Sequence, residues 1–191
     1  MNNSTFQFLL VVLIIFISLG FTSCAAAEPI APYDYTQLLL SVRDLFTVSS
    51  MILSKMEPPM IGQAIARIYY GYYHIARLIF NNIKGYDGDN HTETWKAMPN
   101  TIKNFGKKMK EMRIKYDYNP YNTTIEEMKK DLQYIYNQRT MFETMVKELE
   151  NTVVQYSTNP IFKNTFDTNV KEIQDAYSSL IIIINEKLKQ S

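Results

Sequence analysis

Arg67, Tyr70, His74 and Arg77 recur every three or four residues within AIARIYYGYYHIARLIF, Ala64 to Phe80. On a helix of period 3.6 they share one face with Gly71, while Ile65, Ile68, Tyr72, Ile75, Ala76 and Ile79 take the other. Two guanidiniums, an imidazole and a phenol together can hold an anion by charge and by hydrogen bonds. An imidazole two turns from an arginine can also move protons beside a phosphate. Arg67 and His74, with six residues between them and Gly71 expected to open a small hollow, are therefore the candidate catalytic pair. The competing expectation is structural. Arg67 and His74 would then hydrogen-bond to Asp117, Tyr118 or loop carbonyls and fix the YDYNPY turn, Tyr116 to Tyr121, against this helix.

A second constellation is cationic. Lys103, Lys107, Lys108, Lys110, Arg113 and Lys115, opposed in that stretch only by Glu111, make a basic patch suited to phosphate or anionic head groups, or else a solvated helix face. The chain as a whole carries 20 Lys and Arg against 19 Asp and Glu, so no bulk charge draws it to nucleic acid and any such partner must be read locally. His74 and His91 are the only histidines and Cys24 the only cysteine. Their spacing resembles no metal cage, so neither a structural metal nor a cofactor is expected. No phosphate-cradling glycine loop and no nucleophile elbow occurs.

The elements that must position these residues read as helix throughout. At 191 residues and 46% hydrophobic the chain suits one globular domain, and no alternating strand pattern of useful length appears. Leu38, Leu39, Val42, Leu45, Phe46, Ser49, Ile52, Leu53 and Met56 stripe a first helix from about Tyr35 to Met56, stopped by Pro58 and Pro59. The two-faced segment is the second. A short piece around Glu93 to Met98 follows, then a third helix to about Arg113, marked by Ile102, Phe105, Met109 and Met112. Thr123 with Glu126, or Thr124 with Glu127, signals a capping box for the longest helix, expected to run unbroken to Tyr156. Asn159 and Pro160 precede a last helix at about 163–188. The expected fold is all-α: an antiparallel up-and-down bundle of about five helices over residues 28–191.

Residues 1–27 stand apart. Phe6 to Phe21 is an apolar run of 16 residues, short for a membrane span, and the small residues Ser23 to Ala27 follow it. This reads as a signal peptide, with an uncleaved anchor as the alternative. Phe21, Thr22, Ser23 and Cys24 resemble the processing site of bacterial lipoproteins, which would make Cys24 a lipidated first residue; Phe21 in place of the usual Leu and the uncharged start depart from that pattern. A single cysteine allows no intramolecular disulfide, so packing alone must hold the domain.

RIYYGYYHIARLIF from Arg67, GDNHTETW around His91, and MRIKYDYNPY from Met112 together resemble the HEPN domains, small helical bundles, over about residues 38–149. The resemblance implies an up-and-down bundle that commonly dimerises, in a family whose members include metal-independent ribonucleases, partners of nucleotidyltransferases, and non-catalytic binders. Catalytic members carry an Arg followed after four to six residues by His. At the matching place this chain has Arg113 followed by Asp117, Tyr118 and Asn119, with no His. The last helix, after Pro160, lies outside the resemblance.

Two functions follow as expectations. The first is a non-catalytic binding module, exported or membrane-tethered through its leader or a lipid, that engages a protein partner, a second copy or an anionic partner through Arg67, Tyr70, His74, Arg77, Arg113, Asp117 and Tyr118 or through the basic patch. The second is an RNA-binding or RNA-cleaving domain of HEPN type on the cytoplasmic side of a membrane.

Overall fold

The computed structural model describes residues 32–55, 59–118, 122–153 and 159–190, so the leader, Cys24 and the turn residues Asn119 to Tyr121 lie outside the described residues. Among those described there are seven helices and no strand: α1 Pro32–Lys55, α2 Pro59–Lys84, α3 His91–Ala97, α4 Asn100–Tyr118, α5 Ile125–Asn137, α6 Thr140–Thr152 and α7 Pro160–Lys189. The all-α expectation holds. None of these helices is long and apolar enough to cross a membrane.

The central element is α2. Its residues from Ala64 to Asn81 are buried except Arg67, Tyr70, His74 and Arg77, because α1, α3, α4, α5 and α6 all pack on it. The four residues that set it apart in the sequence are thus the ones its neighbours leave partly open. On its far side α1 carries α7, and the predicted stripe of Leu39, Val42, Phe46, Ser49 and Leu53 is buried between the two partners. Where α1, α2, α4, α6 and α7 meet, the core is aromatic. The Phe46 ring lies 5.8 Å from Tyr72, 5.8 Å from Phe142 and 5.3 Å from Tyr177, all edge-on, and Phe142 stacks on Tyr177 at 4.0 Å. Edge-to-face pairs of this kind add to the area they bury.

The phenols buried in this knot satisfy one another. Tyr177 donates to the Arg139 carbonyl at 3.2 Å, and the Tyr72 hydroxyl, 2.7 Å away, is placed to donate to Tyr177. That carbonyl sits where the sequence reading needs correction. The helix expected to run unbroken from Ile125 to Tyr156 is two helices, parted at Gln138 and Arg139. Asn137 to Thr140 are four polar residues in the gap between Ile135 and Phe142, and there the backbone turns so that the Arg139 carbonyl bonds the Tyr177 side chain. The capping-box alternatives resolve to Thr124 with Glu127, whose side chains and backbone amides bond reciprocally.

A second correction concerns Gly71. It opens no hollow: it is buried, and a Cβ built there would lie 2.5 Å from Phe46 Cε1. Gly71 is the notch in α2 that admits the Phe46 ring. Gly106 does the same for α4, where an added Cβ would run into the indole of Trp95.

Candidate functional site

The face of α2 that looked continuous in sequence is divided between two surroundings. Arg67 and His74 border a groove against α1, lined also by Ser41, Asp44, Leu45 and Val48, with a volume of about 340 Å³. Arg67 hydrogen-bonds back to the Gln63 carbonyl of its own helix at 3.2 Å. His74 keeps a buried Nδ1 with no protein partner, and burial, reinforced by the positive charge of Arg77, pushes its pKa down to about 4. At neutral pH it is an uncharged imidazole. Among the described residues Arg67 and His74 show no bond to Asp117 or Tyr118; it is Arg113 that joins those two residues to Tyr70 of α2.

Tyr70 and Arg77 belong to the other side, under the 85–92 segment and α4. Arg77 forks onto Asp87 through both Nε and a terminal nitrogen, the Nε bond to Oδ1 being 2.5 Å, so its charge is answered within the protein. Arg113 pairs with Asp117 at 2.5 Å one turn on, donates to the Tyr70 hydroxyl, and lies between the Tyr70 and Tyr118 rings, 5.2 and 5.3 Å from their centroids. Tyr118 is 68% exposed, so this cation–π stack is open to solvent on its outer side.

Next to it stands His91, which the sequence reading weighed as a metal ligand and met in the family resemblance without giving it a binding role. His91 opens α3, which Asn90 caps by accepting from the Thr92 and Glu93 amides. Its ring stacks on Tyr73 at 3.8 Å and 9°, and its Nδ1 lies 2.5 Å from the Tyr69 hydroxyl. Trp95 Nε1 donates to that same hydroxyl at 3.3 Å, and Tyr69 is placed to donate its own proton to His91. Burial raises the Tyr69 pKa and keeps that proton in place. Nδ1 then accepts, and the proton of the neutral ring resides on Nε2. Burial lowers the His91 pKa, helped by the charges of Arg113, Lys110 and Arg77. Lys110 is anchored alongside, donating to Thr92 Oγ1 at 2.8 Å.

The basic patch also divides. Lys108 pairs with Glu111 at 3.7 Å and Lys115 with Asp131 at 2.6 Å, whereas Lys103, Lys107 and Lys110 line a cavity between α3 and α4. Among the described residues no group of His, Cys, Asp or Glu could hold a metal ion. The missed members of the site, Tyr69, Tyr73 and Trp95, did leave a signal. Tyr69 with Tyr73, and His91 with Trp95, are i, i+4 pairs that each fall on one helix face.

The fold and site together define an all-helical domain with an aromatic cluster of Tyr, His and Arg at one edge. Comparison with protein-family models, characterised proteins and solved structures finds no match to this chain.

Proposed function

We propose that this chain is a non-catalytic binding module, an antiparallel HEPN-like bundle exported or tethered through its leader, that grips an acidic partner with Tyr70, His91, Lys110, Arg113 and Tyr118. The observation that carries the reading is the Trp95 to Tyr69 to His91 relay. It commits the only basic nitrogen of His91 to Tyr69 and leaves a donor, Nε2–H, beside the cations Arg113 and Lys110. A surface of donors binds anions; it does not take the proton of a ribose hydroxyl. His74 supports the same conclusion, since a base held near pKa 4 is poorly matched to work at neutral pH. Tyrosine and arginine packed as Tyr70, Arg113 and Tyr118 are is also the composition of binding hot spots.

Titration with a deca-glutamate peptide is expected to give saturable, salt-sensitive binding that Arg113→Ala weakens at least tenfold, with Tyr118→Ala, at an exposed position, weakening it by a smaller factor. NMR titration of His91 should show its pKa below 6.5 in the free protein and rising when the peptide binds. Single-stranded RNA incubated with the protein in metal-free buffer should remain intact. Cleavage that disappears in His91→Ala or His74→Ala would replace this reading with the ribonuclease alternative.

A further inference from the structure

The geometry points to a second binding site, between α3 and α4, for a small anionic amphiphile: an apolar chain or ring bearing one acidic group. The cavity there holds about 410 Å³, within the range of small-molecule sites. Trp95 and Ile114 supply apolar wall, and Ile114 is 42% exposed although it is a large aliphatic side chain. Around them stand four lysines, Lys96 from α3 and Lys103, Lys107 and Lys110 from α4. The α4 members, with Ile114, are spaced i, i+4, i+7 and i+11, so one stripe of the helix faces the cavity.

The charge balance needs a ligand more than a solvated face does. The single carboxylate lining the cavity, Glu111, pairs with Lys108, and no ion pair reaches Lys96, Lys103 or Lys107 among the described residues. Like charges gathered around one hollow repel one another, and an acid group placed among them is attracted to all four. An inorganic anion would satisfy the lysines and leave the apolar wall wet. A neutral lipid would cover the wall and leave the charges. A molecule carrying both parts answers both, and the stems of the lysines extend the apolar lining beneath their ammonium groups. Gly106 completes the site. By letting α4 close on one face of the indole, it fixes Trp95 as a rigid wall. The cavity shares Lys110 and Trp95 with the acidic-partner surface, whereas Arg113 and Tyr118 do not line it, so Arg113→Ala should weaken peptide binding and leave the amphiphile bound.

Trp95 is the only tryptophan in the chain and lines this cavity, so its fluorescence reports binding there, and the lysine and Ile114 variants separate that signal from changes at the Tyr69 side of the indole. Dodecanoate, kept below its micelle concentration, is expected to change that fluorescence saturably at one molecule per chain. Lys103→Glu/Lys107→Glu, checked by circular dichroism for an unchanged helical fold, should weaken the response at least tenfold, and so should Ile114→Glu. Dodecanol and inorganic phosphate should each bind at least tenfold more weakly than dodecanoate. Phosphatidylglycerol vesicles give the same expected Trp95 change if the acidic amphiphile is a bilayer lipid, and none if it is a soluble one; either outcome keeps the site. An equal response to dodecanol, an equal response to phosphate, or an undiminished response in the lysine variant overturns it.

Discussion

Phe46→Ala is expected to lower the free energy of unfolding by about 3–5 kcal/mol, the range for removing a fully buried aromatic ring. The ring is a shared surface for Tyr72, Phe142 and Tyr177, and its other side fills the notch left by Gly71. Its loss would leave a cavity walled by four helices, none of which can move in without disturbing another. Gly71→Ala tests the same contact from the opposite side. The new methyl must displace Phe46, at about 1–3 kcal/mol for overpacking a filled core. Combining Gly71→Ala with Phe46→Leu should cost less than the sum of the two, because the smaller, flexible side chain yields the space that the methyl needs. Urea unfolding of the four proteins measures the cycle. A Gly71→Ala midpoint equal to that of the wild type would mean there is open space beside Gly71, and the close approach of Phe46 would be wrong.

Gly71 also shows how far the sequence could be read. The period of apolar residues located α1 and α7 closely and found α2 and α4, which run several residues past the expected ends, because a helix buried along one stripe must repeat its apolar residues at 3.6. It failed where the signal is not periodic. The break at Gln138 and Arg139 has neither proline nor glycine, and its free Arg139 carbonyl is met by Tyr177, 38 residues away. The open face of α2 was legible as a face, yet Arg67 and His74 turn toward α1 while Tyr70 meets Arg113 and Arg77 meets Asp87. A helical wheel gives the angle of a side chain and not the neighbour it meets. Of the seven residues named together as a binding set, Tyr70, Arg113, Asp117 and Tyr118 come together in the structure, while Arg67 and His74 border another groove and Arg77 pairs with Asp87. The His91, Tyr69 and Trp95 relay escaped because its three members come from two helices and owe their function to hydrogen bonds, which residue type alone does not orient.

Acidification from pH 7.5 to pH 5 is expected to remove about 2 kcal/mol of stability through His74 alone, because its pKa drops from an ordinary 6.5 to about 4 on folding. The sign follows from proton counting. Between those two values the unfolded chain binds a proton at His74 that the folded chain refuses, so each step down in pH favours unfolding, and the contribution levels off below pH 4. About one pH unit above 6.5 both states are neutral and the group has no effect. His91, also lowered by burial, adds in the same direction, while the nearby Asp87 charge offsets part of the His74 shift. His74→Gln removes the titration and keeps a polar side chain, so its urea midpoint should fall less between pH 7.5 and 5 than that of the wild type, by an amount worth about 2 kcal/mol. The variant and the wild type falling in parallel would show that His74 is not buried as a neutral ring. The same experiment bears on function. A histidine that resists protonation until about pH 4 gives no cation to a phosphate and only a weak base to a hydroxyl, so its chemistry at neutral pH is that of a packed polar side chain in the α1–α2 groove.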